Sequence, residues 1–176
     1  KISNEKITDG LLSVFDKRSS CFLLGKGMGE GTAKEGALKI KEITYVHAEG
    51  YSSSALKHGP FALLDKGFPV ILFCPSDQHF AKNQNAFQEV QSRGASIIVI
   101  HDDIVADESQ EEQTQEKVNN TNIFDSAVVQ IRVPKNSTFQ PILNMIPVQI
   151  LAYKLAVRKG INPDKPKNLA KVVTVE

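Results

Sequence analysis

The chain has 176 residues, with 21 Lys and Arg against 20 Asp and Glu and a formal net charge of +1. That length suits one domain with a sizeable core and is too short for two comfortable ones. The balanced charge, with no basic cluster interleaved with aromatics, argues against a nucleic-acid partner, and the longest apolar runs, such as Pro69 to Pro75, are far too short to cross a bilayer.

In chain order, Asn4–Lys17 patterns as a helix, and Lys1 to Arg18 lacks the apolar stretch of a signal peptide. The chain opens on Lys rather than Met, so Lys1 is expected to be an internal position of something longer. Cys21–Gly25 reads as a strand, Gly31–Thr44 as a helix, Pro69–Cys74 as a strand, Gln78–Ser92 as a helix and Ser96–His101 as a strand. Next comes an acidic run, Asp102, Asp103, Asp107, Glu108, Glu111, Glu112 and Glu116 with no basic residue among them, expected to be a solvated surface insertion over about 102–122. Ala127–Val133 is the last strand and Pro141–Lys159 the last helix. Pro141 suits the first helical position, whereas Pro147 should kink the helix or mark its true start. Pro163 and Pro166 then predict an extended tail over 161–176.

Strands that are apolar throughout suit a parallel sheet covered on both faces, and the alternation with helices predicts a doubly wound α/β domain over 1–160. Cys21 and Cys74 sit inside such runs, with no Cys/His spacing for a metal, and read as core hydrophobes in a reducing compartment. A soluble, cytoplasmic protein is the expectation.

The residues that could carry chemistry begin with Glu35, Lys39 and Glu42, spaced i, i+4 and i+7 along one helix face. A carboxylate beside an ammonium stays ionised and can move protons, which suits general acid/base work on a small polar substrate. The same spacing describes a solvated face laced by ion pairs worth about 0.2–0.5 kcal/mol each. Gly25, Gly27, Gly29 and Gly31 follow a strand and open this helix, but they match neither the dinucleotide fingerprint nor a P-loop, and Glu30 stands where an anion would bind. Of His47, His58, His79 and His101, none has metal-ligand spacing; His58 lies in the turn Lys57-His58-Gly59-Pro60, where it can face a cleft or simply the solvent. Ser52, Ser53 and Ser54 could donate to a ligand anion, but read first as a helix cap. Lys171 becomes a nucleophile only if Val172, Val173 and Val175 bury the tail and depress its pKa.

Glu35–Glu42, Tyr45-Val-His-Ala-Glu-Gly50, Leu56-Lys-His-Gly-Pro60 and Asn168-Leu-Ala-Lys-Val-Val-Thr-Val-Glu176 together resemble the isomerase module of the glucosamine-6-phosphate synthase (glutamine:fructose-6-phosphate amidotransferase) family. The likeness runs from about Cys21 to Glu176 and covers the second, C-terminal sugar isomerase (SIS) lobe with its tail. It implies a three-layer α/β sandwich around a mainly parallel sheet. It also implies synthesis of glucosamine 6-phosphate from fructose 6-phosphate and glutamine-derived ammonia, with no cofactor and no metal.

By the resemblance, Lys171 forms a Schiff base with the C2 carbonyl, Glu42 moves a proton between C1 and C2, and Lys39 and Glu35 hold charge and sugar hydroxyls. His58 helps open the sugar ring in the site of a homodimer partner, and Ala170, Lys171 and Glu42 touch substrate. The sequence departs from the family at Ser54-Ala55, Lys167 and Val172, where Gly-Glu, Arg and Ser are usual. The family's first lobe, with its Ser/Thr-rich phosphate loop, and its glutaminase domain have no counterpart here, so the fragment alone is expected to be inactive. Two other readings remain: a non-catalytic sugar-phosphate-binding SIS module with a regulatory role, and a related amino-sugar-phosphate isomerase or deglycase.

Overall fold

A computed structural model describes residues 4–102 and 124–168. Most of the acidic run and the last eight residues, with Ala170 and Lys171, fall outside the described residues. Five strands, β1 (Ser20–Gly25), β2 (His47–Ser52), β3 (Pro69–Phe73), β4 (Ser96–His101) and β5 (Val129–Arg132), form one sheet in the order β2-β1-β3-β4-β5. Every neighbouring pair is parallel, with Leu23 opposite Gly50, Leu24 opposite Leu72, Ile71 opposite Ile98 and Ile100 opposite Ile131.

Alternating side chains of the central strands feed two cores. Leu23, Ile71, Phe73, Ile98 and Ile100 face one way and pack against α1 (Asp9–Ser13), α2 (Met28–Thr44) and α4 (Gln140–Arg158). Phe22, Val70, Leu72, Ile97 and Val99 face the other way, toward α3 (Phe80–Gln91), Leu56 and Phe124. The α/β sandwich implied by the resemblance is therefore the fold, with helices on both faces of an all-parallel sheet. Among the described residues no helix is long and apolar enough to cross a membrane.

Four expectations need correction. The strand β2 has no apolar run to announce it: at the sheet edge only Ala48 is buried, and the remainder of His-Ala-Glu-Gly-Tyr-Ser is at least partly exposed. The first helix is broken into a 3-10 turn at Asn4–Lys6 and α1, because Thr8 Oγ1 accepts the Leu11 N–H and starts a new helix. Pro147 does not mark the start of α4, which continues through it, with Pro147, Val148, Leu151 and Leu155 all buried. Burial of that face against α2 offsets the roughly 3 kcal/mol that an interior proline costs an exposed helix. Gly36 allows the approach, since a Cβ there would lie 3.3 Å from Val148 and 2.8 Å from Leu23. The described start of the tail, finally, is turned rather than extended: Lys165 N–H donates to Asn162 O at 3.2 Å and Asn168 has φ of +59°.

Candidate functional site

Helix α2 buries Ala33, Ala37 and Ile40 against the sheet, which turns Glu35, Lys39 and Glu42 toward the outside. Lys39 Nζ sits between the two acids, 3.0 Å from Glu42 Oε2 and 3.4 Å from Glu35 Oε1. The hydrogen bond that Lys39 donates to Glu42, joined by the charges of both acids, holds the Lys39 pKa above its ordinary value against the opposing effect of desolvation. Lys39 is therefore a fixed ammonium and a poor nucleophile, able to hold or offset negative charge beside Glu42. The side chains of Lys39 and Glu42 are 33% and 29% exposed, open enough for a small substrate to touch both.

The far end of α2 is tied down by three contacts. Tyr45 caps it in the left-handed conformation, φ +57°, with its N–H on Lys41 O. Lys159, just past α4, donates from Nζ to Thr44 O at 3.3 Å. Further along, the Lys167 N–H donates to Tyr45 Oη at 2.7 Å while its Nζ stands 5.1 Å from the Tyr45 ring centroid. The tail thus leaves the described structure beside Glu42's end of α2. Tyr45 was legible as part of a motif, but no local signal marked its hydroxyl as the tail's tether.

The structure brings Glu35, Lys39 and Glu42 together but not His58. That residue ends the 3-10 turn Leu56–His58, is exposed, and follows Leu56, which packs on the sheet face opposite α2. The three serines do not cap a helix. Ser52 ends β2, Ser53 Oγ donates to the buried Asn83 Oδ1 at 2.8 Å, and Ser54 Oγ accepts from Lys26 Nζ at 2.6 Å.

The glycine loop closes on the protein itself. A Cβ on Gly25 would run into the Gly29 carbonyl, and one on Gly27, φ +59°, would lie 2.6 Å from the His79 ring. Glu30 fills the anion position at the start of α2, its carboxyl held below the usual range by Lys34 Nζ at 2.8 Å.

Comparison with known proteins gives a consistent result. The SIS domain family matches residues 14–159. A probable glutamine–fructose-6-phosphate aminotransferase (isomerizing) of Acanthamoeba polyphaga mimivirus is 48% identical over 94% of this chain and 25% of its own length. The Pyrococcus horikoshii enzyme of the same name is 43% identical over 98% of this chain and 26% of its own. Among solved structures, the C-terminal domain of the Francisella tularensis glucosamine-fructose-6-phosphate aminotransferase superposes with a TM-score of 0.74 at 34% identity, covering 92% of this chain and 41% of that one. A glucosamine-6-phosphate deaminase of Thermotoga maritima superposes at 0.65 with 27% identity, over 98% and 47%. The chain spans about a quarter of the length of these curated relatives.

Proposed function

The chain belongs to the SIS domain family, and from that premise we propose that it is the second isomerase lobe of an enzyme making glucosamine 6-phosphate from fructose 6-phosphate and glutamine-derived ammonia. A first lobe and a glutaminase domain would supply the phosphate grip and the ammonia. In this reading Lys171 condenses with the C2 carbonyl of the open-chain sugar, releasing water, and Glu42 carries a proton between C1 and C2. Lys39, kept protonated by its two acids, offsets the charge on the enediol-like intermediate, and Glu35 takes sugar hydroxyls. Ala170 lies against the substrate beside Lys171, and His58 serves the site of a second copy in a homodimer.

The observation that carries this reading is the tether of Lys167 to Tyr45. Lys171 lies four positions beyond Lys167, a reach of up to about 14 Å for extended chain, while Glu42 lies one helical turn before Tyr45. A lysine on so short a leash can meet a base on the same helix. The buried free thiols support a reducing cytoplasmic setting: desolvation pushes the Cys21 thiol up to about 12, and Cys74 is raised by the same cause.

The ion pairs on Lys39 are also what a purely structural surface ladder would show, though exposed pairs contribute only about 0–1 kcal/mol. The two readings separate in the full-length protein. Glu42→Gln keeps size and removes the base, so glucosamine 6-phosphate formation should fall by about 10²–10⁴-fold with an unchanged thermal midpoint. Lys171→Arg keeps charge but cannot form the Schiff base and should fall as steeply, with part of the glutamine hydrolysis surviving in both. Near-normal synthesis by a Glu42→Gln protein that melts several degrees lower would make the stripe structural.

A further inference from the structure

A cavity of about 230 Å³ lies at the carboxyl ends of β3, β4 and β5, closed by the N-terminal turns of α2 and α4. Glu35, Lys39, Glu42 and His58 do not line it. It stands beside the place where the strand order reverses, since the chain runs outward from β1 to β2 and then returns to β3 on the other flank. Open parallel sheets bind ligands in the crevice outside the carboxyl ends of the strands at such a point.

The cavity is built from polar groups already held in place. Asp102, Asn144 and Gln140 are 2%, 2% and 8% exposed. The Asp102 carboxylate accepts the Ser76 N–H at 2.8 Å and its Oγ–H at 3.0 Å. Gln140 accepts the Asn136 N–H at 2.7 Å and donates to Asn144 Oδ1 at 3.0 Å, which leaves the Asn144 NH₂ group uncommitted among the described residues. Buried polar groups fixed in this way are preorganised and need no rearrangement to meet a ligand.

Charge decides which ligand. Asp77 and Asp102 contribute two carboxylates, while Lys135 and the N-terminus of α4, worth about half an elementary charge, oppose them, the N-terminus of α2 being taken by Glu30. The cleft is therefore close to electrically balanced, and a phosphate dianion would add charge beside a buried carboxylate, at a cost that the low local dielectric magnifies. Met28, Pro75 and Pro141 supply apolar wall. The volume falls below the roughly 300–1,000 Å³ of drug-sized sites, which limits the ligand to a small molecule.

We propose that this cavity is a second binding site of the lobe, taking a small uncharged polyhydroxylated molecule, a free monosaccharide rather than a sugar phosphate. Hydroxyl groups donate to Asp102 and accept from Asn144 and Lys135, and the C–H face of the ring lies on the apolar wall. The inference rests on the cavity alone and does not depend on the role of Glu42.

The test is amide chemical-shift mapping of the 176-residue chain titrated separately with fructose, fructose 6-phosphate and glutamine. Fructose should give saturable shifts at Ser76, Asn136 and Asn144, with fructose 6-phosphate and glutamine weaker at the same amides. Asn144→Leu should weaken fructose binding by roughly tenfold or more in a spectrum of unchanged dispersion, and Glu42→Gln should bind as the parent chain does. Lys135→Met, a change at an exposed position, should weaken it several-fold and serves if Asn144→Leu does not fold. No saturable shift at these amides with fructose overturns the proposal. So does tighter binding of fructose 6-phosphate or glutamine there, or fructose affinity unchanged in the folded variants.

Discussion

The backbone N–H of Lys167 donates to the Tyr45 hydroxyl at 2.7 Å, so the start of the C-terminal segment is held by the residue that caps α2. A single hydrogen bond of this kind contributes about 0.5–1.5 kcal/mol net. In the proposed mechanism its value is positional, because it would limit how far the following residues can stray from the Glu42 end of the helix.

Tyr45→Phe removes that bond and keeps the ring under the Lys167 ammonium. In the full-length protein it should lower glucosamine 6-phosphate synthesis by roughly 3–10-fold while leaving the thermal midpoint nearly unchanged. Steady-state synthesis together with a melting curve checks it, and undiminished activity would show that the tail needs no tether.

Self-association is expected of the chain on its own. His58 projects from the region of the sheet face opposite α2, so within one chain it does not join the stripe, and α4 leaves Ile142, Tyr153 and Val157 more than half exposed. Such apolar surface marks a contact that another copy or lobe covers. Sedimentation equilibrium over a wide concentration range should show a dimer, and a strictly monomeric species at high concentration contradicts the homodimer reading.

Tyr51 gives a pH-dependent readout at the β2 edge. Its hydroxyl donates to Glu49 Oε2 at 2.6 Å, and that bond, with burial and the nearby carboxylate charge adding to it, raises the phenol to about 12 from an ordinary 10.0. His47 also faces Glu49, at 3.6 Å. The raised group is neutral in the fold, so its contribution to stability is complete below about pH 10 and is lost as pH rises through about 12. Phenolate absorbance followed against pH should show one late-titrating tyrosine that moves toward 10 in Glu49→Gln; a midpoint unaffected by that change would remove Glu49 as the cause.

Two glycines on this side of the sheet should respond in opposite directions. A Cβ at Gly50 would lie 2.5 Å from the Lys34 backbone, so β2 and α2 must separate, and Gly50→Ala should destabilise by about 1–3 kcal/mol or more. Gly31 has open space around its Cβ position within α2, so Gly31→Ala should stabilise by about 0.5–1 kcal/mol. Urea midpoints of the two variants, measured side by side, decide whether the β2–α2 contact is as tight as the backbone indicates.

The central strands were readable from composition because burial on both faces demands side chains such as those of Phe22–Leu24, Val70–Phe73 and Ile97–Ile100, whatever their neighbours. The edge strand β2 was not, because one exposed face and an open edge permit His47, Glu49 and Tyr51, which carry no strand signal by themselves. The ion-paired triad was readable as well, since a helix places residues at i, i+4 and i+7 together without help from the rest of the chain.

What belonged to the sequence by itself was therefore local or compositional: the helical face bearing Glu35, Lys39 and Glu42, and the apolar strands that compel a covered parallel sheet. Only the tertiary structure decided that Pro147 stays inside a helix, that Lys167 reaches Tyr45, that His58 stands apart from the stripe, and that Ser76, Asp102 and Asn144 share a cavity. The physical reason is distance along the chain. Those relationships join residues tens of positions apart, and their geometry is set by how sheet and helices pack, which no short stretch of residues encodes.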